Sequence, residues 1–439
     1  MTPNRPSGER MTNRRAVLAA LGSAAMAGCA TEAVPGFGRE AVDALACDAS
    51  GGWRQFQADP GNTGRTSVSP PSFDAGAEVL VDGIRNGAAA PGVVADDRGR
   101  VFAPDGTTVL GYDSRGGTEQ WRRSLDAPVA GTPVLACEGV IVATITGTVA
   151  LSADDGTVLW EQSVGASGPP VVDGETIYLP GGVTSALEVA SGAKRWTTEF
   201  DDVSVRACCL AGGTLVVVGK TEAGGMVMGL DPGTGEERWR TDARNQISAA
   251  PTHHDGTIYV PDEGNQVYAV DAETGDVRWR VTAYGDYPGD RLGSAPAVTE
   301  STVVVPSGNG GTTVGLDRET GDRRWELETA QVLGSPIPTE NGVVIGSINQ
   351  GLYRVSESGE VTGRATDTRA GGPMALTEAG LFYKTAGPGN RADISFIPTT
   401  NTVTGGRSST SRTTITATGS QGTASGTAGS ATRPAARFR

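Results

Sequence analysis

Two adjacent cysteines, Cys208 and Cys209, are the strongest candidates for reactive residues in this chain. Vicinal thiols can form a disulfide, and an accessible thiolate is a nucleophile. Free cysteine is also a commonly buried side chain that packs as a small hydrophobe. Because the pair stands where a strand is expected to begin, we interpret it as two packing residues, with a redox or cofactor-binding pair as the alternative.

The other candidate residues give weaker signals. The only two histidines, His253 and His254, precede Asp255. We expect them in a turn between strands, where neighbouring side chains rarely converge, so a solvated turn is favoured over a metal site. Two loops, 262–265 and 307–311, carry oxygen ligands that suit Ca²⁺, but polar side chains are also ordinary turn formers.

One eleven-residue pattern recurs along the chain and must position these residues. It begins with a small and an apolar residue, turns at a Gly in the seventh position, and ends in Trp. Six copies end at tryptophans spaced 39, 36, 43, 40 and 46 residues apart: Trp121, Trp160, Trp196, Trp239, Trp279 and Trp325. A seventh copy, 353–363, keeps Gly359 but lacks the Trp. A period near 40 indicates β-propeller blades, with each Trp packed between adjacent blades.

The segments between these motifs predict the rest of each blade. A small residue followed by proline opens a blade, as at Thr132-Pro133, and an apolar strand follows. Counting an irregular opening at 207–208, the sequence has eight openings and seven motif ends. The unmatched opening, at Pro373, needs an outer strand that residues 78–81 are expected to supply. The sequence therefore predicts an all-β, eight-bladed propeller, with seven blades as the alternative, closed by strands from both chain ends.

The tryptophan motif resembles that of pyrroloquinoline-quinone (PQQ) repeat proteins, over about residues 50–398. Trp53, Phe56, Asp59 and Asn62 also resemble the segment that leads into the first blade in that family. The family includes quinoprotein alcohol dehydrogenases and non-catalytic lipoproteins, among them the propeller subunit of the outer-membrane barrel assembly machine. The resemblance implies the fold and does not choose between these functions.

Resemblance to the dehydrogenases would imply a quinone in the central channel, over a Ca²⁺ ion and beside a disulfide between adjacent cysteines. Cys208 and Cys209 are the only candidates for that cofactor site. No Ca²⁺ ligand set or catalytic base can be assigned, the blades lack the long insertions of the enzymes, and no Cys-x-x-Cys-His segment for haem is present. We expect no cofactor and no catalytic residue; PQQ with Ca²⁺ belongs to the alternative, a small alcohol or sugar dehydrogenase.

The N-terminal residues are typical of an export signal. Arg14 and Arg15 precede an apolar stretch, 16–27, that is shorter than the roughly 20 residues needed to span a bilayer. This pattern predicts a twin-arginine signal peptide, and the residues before Cys29 resemble a lipobox, which would make Cys29 the lipidated residue. A start at Met11 would leave the signal intact. The expected organisation is a signal peptide (1–28), a tether (29–50), the propeller (51–398) and a disordered Ser/Thr/Gly-rich tail (399–439).

The distribution of charge limits the choice of partners. The chain has a net charge of −14 and three lysines. Residues 1–28 and 400–439 carry +3 and +5, so the residues between them carry −22. Nucleic-acid binding needs a basic footprint and is therefore excluded. An acidic surface also suits a protein kept soluble in high salt, as in a halophile.

Three functional hypotheses remain. The leading one is a protein-binding or scaffold propeller, lipid-anchored to the outer face of the cytoplasmic membrane, whose loops or strand edges hold an unidentified protein partner. The second is the PQQ-dependent dehydrogenase. The third is a surface protein that binds carbohydrate or a metal complex for uptake.

Overall fold

The computed structural model describes residues 52–84, 91–136, 138–284, 294–308, 311–366, 368–385 and 391–399. The predictions for Arg14, Arg15 and Cys29, and those for the signal, tether and tail, lie outside the described residues. In the described part, the only helix is a three-residue 3-10 turn, η1 (Phe73–Ala75), and no helix could cross a membrane.

The described residues form 32 strands, arranged as eight four-stranded antiparallel sheets. The first four blades, from the inner to the outer strand, are β2 (Val94–Ala95), β3 (Arg100–Asp105), β4 (Thr108–Asp113) and β5 (Thr118–Ser124); β6 (Val134–Ala136), β7 (Gly139–Ala143), β8 (Thr148–Ser152) and β9 (Val158–Gln162); β10 (Val171–Asp173), β11 (Thr176–Leu179), β12 (Val183–Glu188) and β13 (Lys194–Glu199); and β14 (Ser204–Ala211), β15 (Thr214–Lys220), β16 (Gly225–Leu230) and β17 (Glu237–Ala243).

The last four blades follow the same order. They are β18 (Thr252–His254), β19 (Thr257–Pro261), β20 (Gln266–Asp271) and β21 (Val277–Thr282); β22 (Ala297–Val298), β23 (Thr302–Pro306), β24 (Thr312–Asp317) and β25 (Arg323–Glu328); β26 (Ile337–Thr339), β27 (Gly342–Ser347), β28 (Gly351–Ser356) and β29 (Val361–Ala365); and β30 (Ala370–Thr377), β31 (Gly380–Thr385), β32 (Ala392–Pro398) and β1 (Glu78–Ile84).

The blades form a closed ring. Inner strands of successive blades contact one another from β2 through β26, β30 contacts β27 of blade 7, and β30 contacts β2. This crowding explains the glycine that opens blade 3, since a Cβ added at Gly168 would lie 2.1 Å from the backbone carbonyl oxygen of Arg206 in the next blade. The eight-bladed prediction is confirmed, and seven blades is wrong.

Strands from both chain ends complete the eighth blade, as predicted. Strand β1 pairs antiparallel with β32, with Glu78 opposite Phe396 and Val79 opposite Ser395. The connections define two ends of the ring. At the turn end, the first strand of each blade turns into the second and the third into the fourth. At the linker end, the second strand turns into the third and a linker leads to the next blade.

Six of the contacts between neighbouring blades, which we call seams, are built on the tryptophan motif. Trp160 in blade 2 donates from Nε1 to the carbonyl oxygen of Val189 in blade 3 at 2.9 Å. A Cβ added at Gly192 of blade 3 would lie 2.6 Å from the same indole, so the ring rests directly on the glycine turn. The other five tryptophans donate to the next blade in the same way, at 2.8 to 3.2 Å: Trp121, Trp196, Trp239, Trp279 and Trp325.

Blade 7 departs from this pattern in a way that the sequence shows only in part. Arg354 lies opposite Gly363, as Gly229 lies opposite Trp239 in blade 4. Arg354, rather than Tyr353, therefore occupies the position of the small residue, and the turn is one residue shorter. Phe73 of η1 takes up the space of the missing indole, with Cδ2 3.7 Å from where a Cβ on Gly363 would lie.

Candidate functional site

Residues 53–65, which we call the plug, cross the turn end of the central channel. Trp53 exchanges two backbone hydrogen bonds with Ala95 of blade 1. Asn62 donates from Nδ2 to the carbonyl oxygens of Cys208 (2.9 Å, blade 4) and Pro251 (3.0 Å, blade 5). Similar bonds join the plug to blades 2, 3 and 7 through Leu135, Val172 and Pro336, and Arg65 pairs with Glu300 of blade 6.

Local turns give the plug its compact shape. The Asp59 carboxylate accepts from the backbone nitrogens of Gly61 (2.9 Å) and Thr63 (3.2 Å) and from the Thr63 hydroxyl. Burial raises the pKa of Asp59, and these donors oppose that rise. Ala58 and Asn62 adopt left-handed backbone angles, with φ of 68° and 54°. Such angles are uncommon without glycine, and the surrounding hydrogen bonds hold them.

One cavity beside the plug is very small. Between Trp53, Phe56 and the inner strands of blades 1, 2, 7 and 8 lies a cavity of about 10 Å³. That is roughly the volume required by one water molecule. A quinone does not fit there.

Cys208 and Cys209 lie on the inner strand of blade 4 and point away from each other. Consecutive residues of a strand face opposite sides, so Cys208 packs in the core between blades 3 and 4 and Cys209 in the core between blades 4 and 5. Both are free thiols. Burial raises the pKa of Cys208 to about 12 and also raises that of Cys209, which keeps both thiols protonated. This arrangement suits packing and does not fit the vicinal disulfide of a quinone site.

The histidine pair and the loop 262–265 are structural, whereas residues 309 and 310 of the other candidate loop, 307–311, lie outside the described residues. His253 and His254 end strand β18 rather than forming a solvated turn, and His254 is buried. Desolvation lowers the pKa of both rings. The buried Asp262 carboxylate accepts from the backbone nitrogens of Gly264 and Gln266 at 2.8 and 2.9 Å, so it organises its own turn. Among the described residues, no three His, Cys, Asp or Glu side chains are grouped to hold a metal ion.

An exposed apolar side chain marks the linker end of blade 2. Ile145 is 62 % exposed, the most among the large apolar residues in the described part of the chain. Its turn is held firmly, because the Thr144 hydroxyl donates to the Gly147 carbonyl (2.9 Å) and accepts from the Gly147 nitrogen (3.0 Å). The Ala166 nitrogen also donates to the Thr144 carbonyl. The hydrogen bonds of this turn therefore hold Ile145 in a fixed position at the surface.

Two clefts flank this turn, one on each face of blade 2. The cleft toward blade 1 has a volume of about 280 Å³ and is lined by residues 123–127, 144, 146–149, 158 and 161–163. The cleft toward blade 3 has a volume of about 310 Å³, and its rim is formed by Ile145 and Val183, which is 42 % exposed. Together the turn and the two clefts form the candidate site.

The cleft between blades 2 and 3 contains an unsatisfied polar group. Ser185 lines it, is fully buried, and its Oγ has no hydrogen-bond partner. Unpaired buried hydroxyls are rare because they lose their bonds to water. Lys194 and Thr197, on the outer strand of blade 3, line the same cleft. The cleft therefore offers hydroxyls and an ammonium group beneath an apolar rim.

Sequence reasoning missed this site. The turns of the tryptophan motif all lie at the turn end, whereas the candidate site is formed by less regular segments at the linker end. The only available signal was Ile145 itself, an apolar residue between two threonines and shortly before Gly147.

Comparison with known proteins places the chain among propellers of this kind. A family model described as outer membrane protein assembly factor BamB matches residues 42–204, 145–223 and 180–385, which together span 42–385. No curated protein matches the chain significantly.

Solved structures share the fold at low identity. BamB from Moraxella catarrhalis is 18 % identical, with a TM-score of 0.58, over 73 % of this chain and 99 % of that one. A quinohemoprotein alcohol dehydrogenase from Comamonas testosteroni is 12 % identical, with a TM-score of 0.63, over 84 % and 82 %. A computationally designed protein, Ika8, is 14 % identical, with a TM-score of 0.57, over 73 % and 100 %. An enzyme and a designed protein have TM-scores close to that of BamB, and all three are less than 20 % identical, so these similarities show the fold alone.

Proposed function

The chain belongs to the PQQ-like repeat family described as outer membrane protein assembly factor BamB, and on that premise we propose that it is a scaffold that binds another protein at the linker end of blades 2 and 3. The observation that carries the proposal is the exposed Ile145 on a rigid turn between two clefts. Apolar residues rimmed by polar ones are typical of protein interfaces.

The position of the chain ends supports this choice of surface. The first described residues pair with Ala95, and Thr399 donates to the Ala379 carbonyl, so the described chain enters and leaves at the turn end. We propose that Cys29 carries a lipid that anchors the protein to the outer face of the cytoplasmic membrane. A tether from Cys29 to Trp53 would reach the turn end, which leaves the linker end free for a partner.

Site-specific cross-linking tests the binding surface. A photoreactive amino acid at position 145 of the full chain should capture a discrete partner, and the separate variant Ile145→Asp should no longer co-purify with that partner. Val277, which is 45 % exposed on the outer strand of blade 5, is the matched control. Capture at 277 but not at 145 would reject this surface, and the absence of any protein adduct at either position would reject the scaffold function.

Fractionation tests the anchor separately. We expect Cys29→Ala to abolish labelling by a fatty-acid analogue and to release the protein from membranes, whereas Cys47→Ala should do neither. Lysines in place of Arg14 and Arg15 should retain the precursor inside the cell. An unchanged membrane fraction for Cys29→Ala would contradict lipidation.

Titration with PQQ and Ca²⁺ tests the dehydrogenase alternative. We expect no stoichiometric complex and no thermal shift, since the plug and the two cysteines do not form a quinone site. A complex that reduces a dye with an alcohol or a sugar would overturn the scaffold proposal.

A further inference from the structure

The outer strands of the blades differ in how well their free edges are protected. A free edge can pair with another strand, and charged side chains discourage such pairing. Strands β1, β5, β13, β17, β21 and β25 carry two to four charged residues each, whereas β9 and β29 carry one. Since η1 contacts β29, strand β9 is the least protected edge in the part of the molecule that the structure describes.

A single position accounts for much of this difference. The residue before the motif tryptophan is arginine in four blades, and these arginines reach back across the sheet, as Arg238 does to the Gly213 carbonyl at 2.7 Å. Blade 2 has Leu159 there, half-buried against the core between blades 2 and 3. Glu161 is the only charged residue of β9.

The two clefts lie on the two faces of blade 2, toward which a strand added to β9 would direct its side chains. Successive residues of a strand point to opposite faces of a sheet. One set of alternate side chains would therefore lie toward blade 1, over the cleft lined by Val158 and Gln162, and the other toward blade 3, over the cleft lined by Ser185 and Lys194.

The cleft toward blade 3 favours a carboxylate. Lys194 makes no ion pair among the described residues, although the chain carries 50 acidic residues. The buried Ser185 hydroxyl has no partner. A carboxylate accepts hydrogen bonds from both an ammonium group and a hydroxyl, and bonds to charged acceptors are the stronger ones.

We infer that blade 2 binds an extended acidic segment of the partner protein as a fifth strand on β9, with alternate carboxylates directed toward Lys194 and Ser185. The inference rests on the proposed function and specifies the partner's chemistry. The backbone ladder supplies affinity, the two clefts select side chains, and Ile145 adds an apolar contact at the linker end.

Peptides of alternating sequence provide the test. The probe is acetyl-Thr-Glu-Val-Glu-Val-Glu-Thr-amide carrying a fluorophore, and its counterpart has Lys in place of each Glu. In fluorescence anisotropy, we expect the full chain to bind the Glu peptide saturably. The Lys peptide should bind more weakly, even though the acidic surface of the protein attracts its positive charge. Amide exchange of residues 158–162 should slow in the complex. Equal binding of both peptides, or no binding of either, would overturn the inference.

Three variants locate the interaction. Leu159→Arg introduces the residue that four other blades carry and should weaken binding by at least about tenfold. Gln120→Arg, the same change on blade 1, should leave it unchanged. Lys194→Glu should reverse the preference, so that the Lys peptide binds about fivefold more tightly than the Glu peptide. If the Leu159→Arg variant binds the Glu peptide with unchanged affinity, strand addition to β9 is wrong. If the photoreactive residue at position 145 still captures the partner in that case, the protein-binding function is retained without strand addition.

Discussion

The six tryptophan seams and the two seams that flank blade 8 solve the same packing problem with different residues. Within the repeat array, an indole rests on a glycine turn of the next blade and donates to its backbone, as Trp160 does to Val189. The last two seams lack a motif tryptophan. Phe73 fills the first, and the backbone of β1 fills the second, where a Cβ on Gly117 would lie 2.1 Å from the Leu80 carbonyl oxygen. A repeat can therefore supply its internal seams, while closure of the ring requires residues outside the repeat.

A buried lysine completes the second of these unusual seams. Lys384 of blade 8 is fully buried and donates from Nζ to the carbonyls of Pro91 (2.5 Å) and Pro104 (3.4 Å) in blade 1. Burial lowers its pKa to about 8. The seam between blades 8 and 1 thus contains a buried amino group on the second strand of blade 8 in addition to the backbone of β1.

Truncation of one tryptophan should have the largest effect on stability. Trp160→Ala removes a buried indole and its hydrogen bond to Val189, and we expect a loss of about 3–5 kcal/mol in the free energy of unfolding. Urea denaturation would measure it. Trp279→Ala, at a half-buried copy of the motif, should cost less; equal losses would show that seam burial does not set the contribution.

The lysine seam should show a pH dependence that the tryptophan seams lack. The pKa of Lys384 lies below that of an unfolded lysine, so the unfolded state binds more protons between about pH 8 and pH 10.5 and stability should rise with pH there. The gain relative to Lys384→Met should be on the order of 3 kcal/mol. Denaturation of both proteins at pH 7 and above pH 10 would show it. Parallel pH profiles would mean that Lys384 is not desolvated in the folded state.

Closure by β1 can be tested with a pair of glycines in blade 1. Gly117 and Gly106 have φ of 61° and 66°, but an added Cβ would meet another chain segment only at Gly117. Gly106→Ala should cost about 1 kcal/mol for its left-handed backbone. Gly117→Ala should cost about 2 kcal/mol more because it pushes β1 from its place. Equal losses in thermal or urea unfolding would show that β1 does not form this seam.

The smallest effect is expected at the seam between blades 7 and 8. The Arg354 guanidinium lies 5.2 Å from the centre of the half-buried Phe73 ring and donates to the carbonyls of Pro70 and Pro71. Phe73→Ala should cost about 1–2 kcal/mol. Val361→Ala, at an exposed residue on β29, is the control and should be nearly neutral. A neutral Phe73→Ala would remove this residue as the substitute for the indole.

Much of the fold was predictable, because motif spacing and blade openings report local chemistry. The glycine turns, the inner strands and the outer strand from residues 78–81 follow from residue types that suit one conformation. The sequence did not reveal the roles of Phe73 and Lys384. Neither belongs to the repeat, and a lone aromatic or lysine carries no signal of the partner it will meet hundreds of residues away.

The amino-acid sequence by itself determined the propeller, its eight blades, its docking tryptophans and its closure by both chain ends, because each depends on short-range patterns repeated many times. Only the tertiary structure decided that the plug closes one end of the channel, that Cys208 and Cys209 face different cores, and that two clefts flank Ile145. These features arise where segments distant in the chain meet, and the chemistry of such a meeting is set by packing rather than by local residue preference.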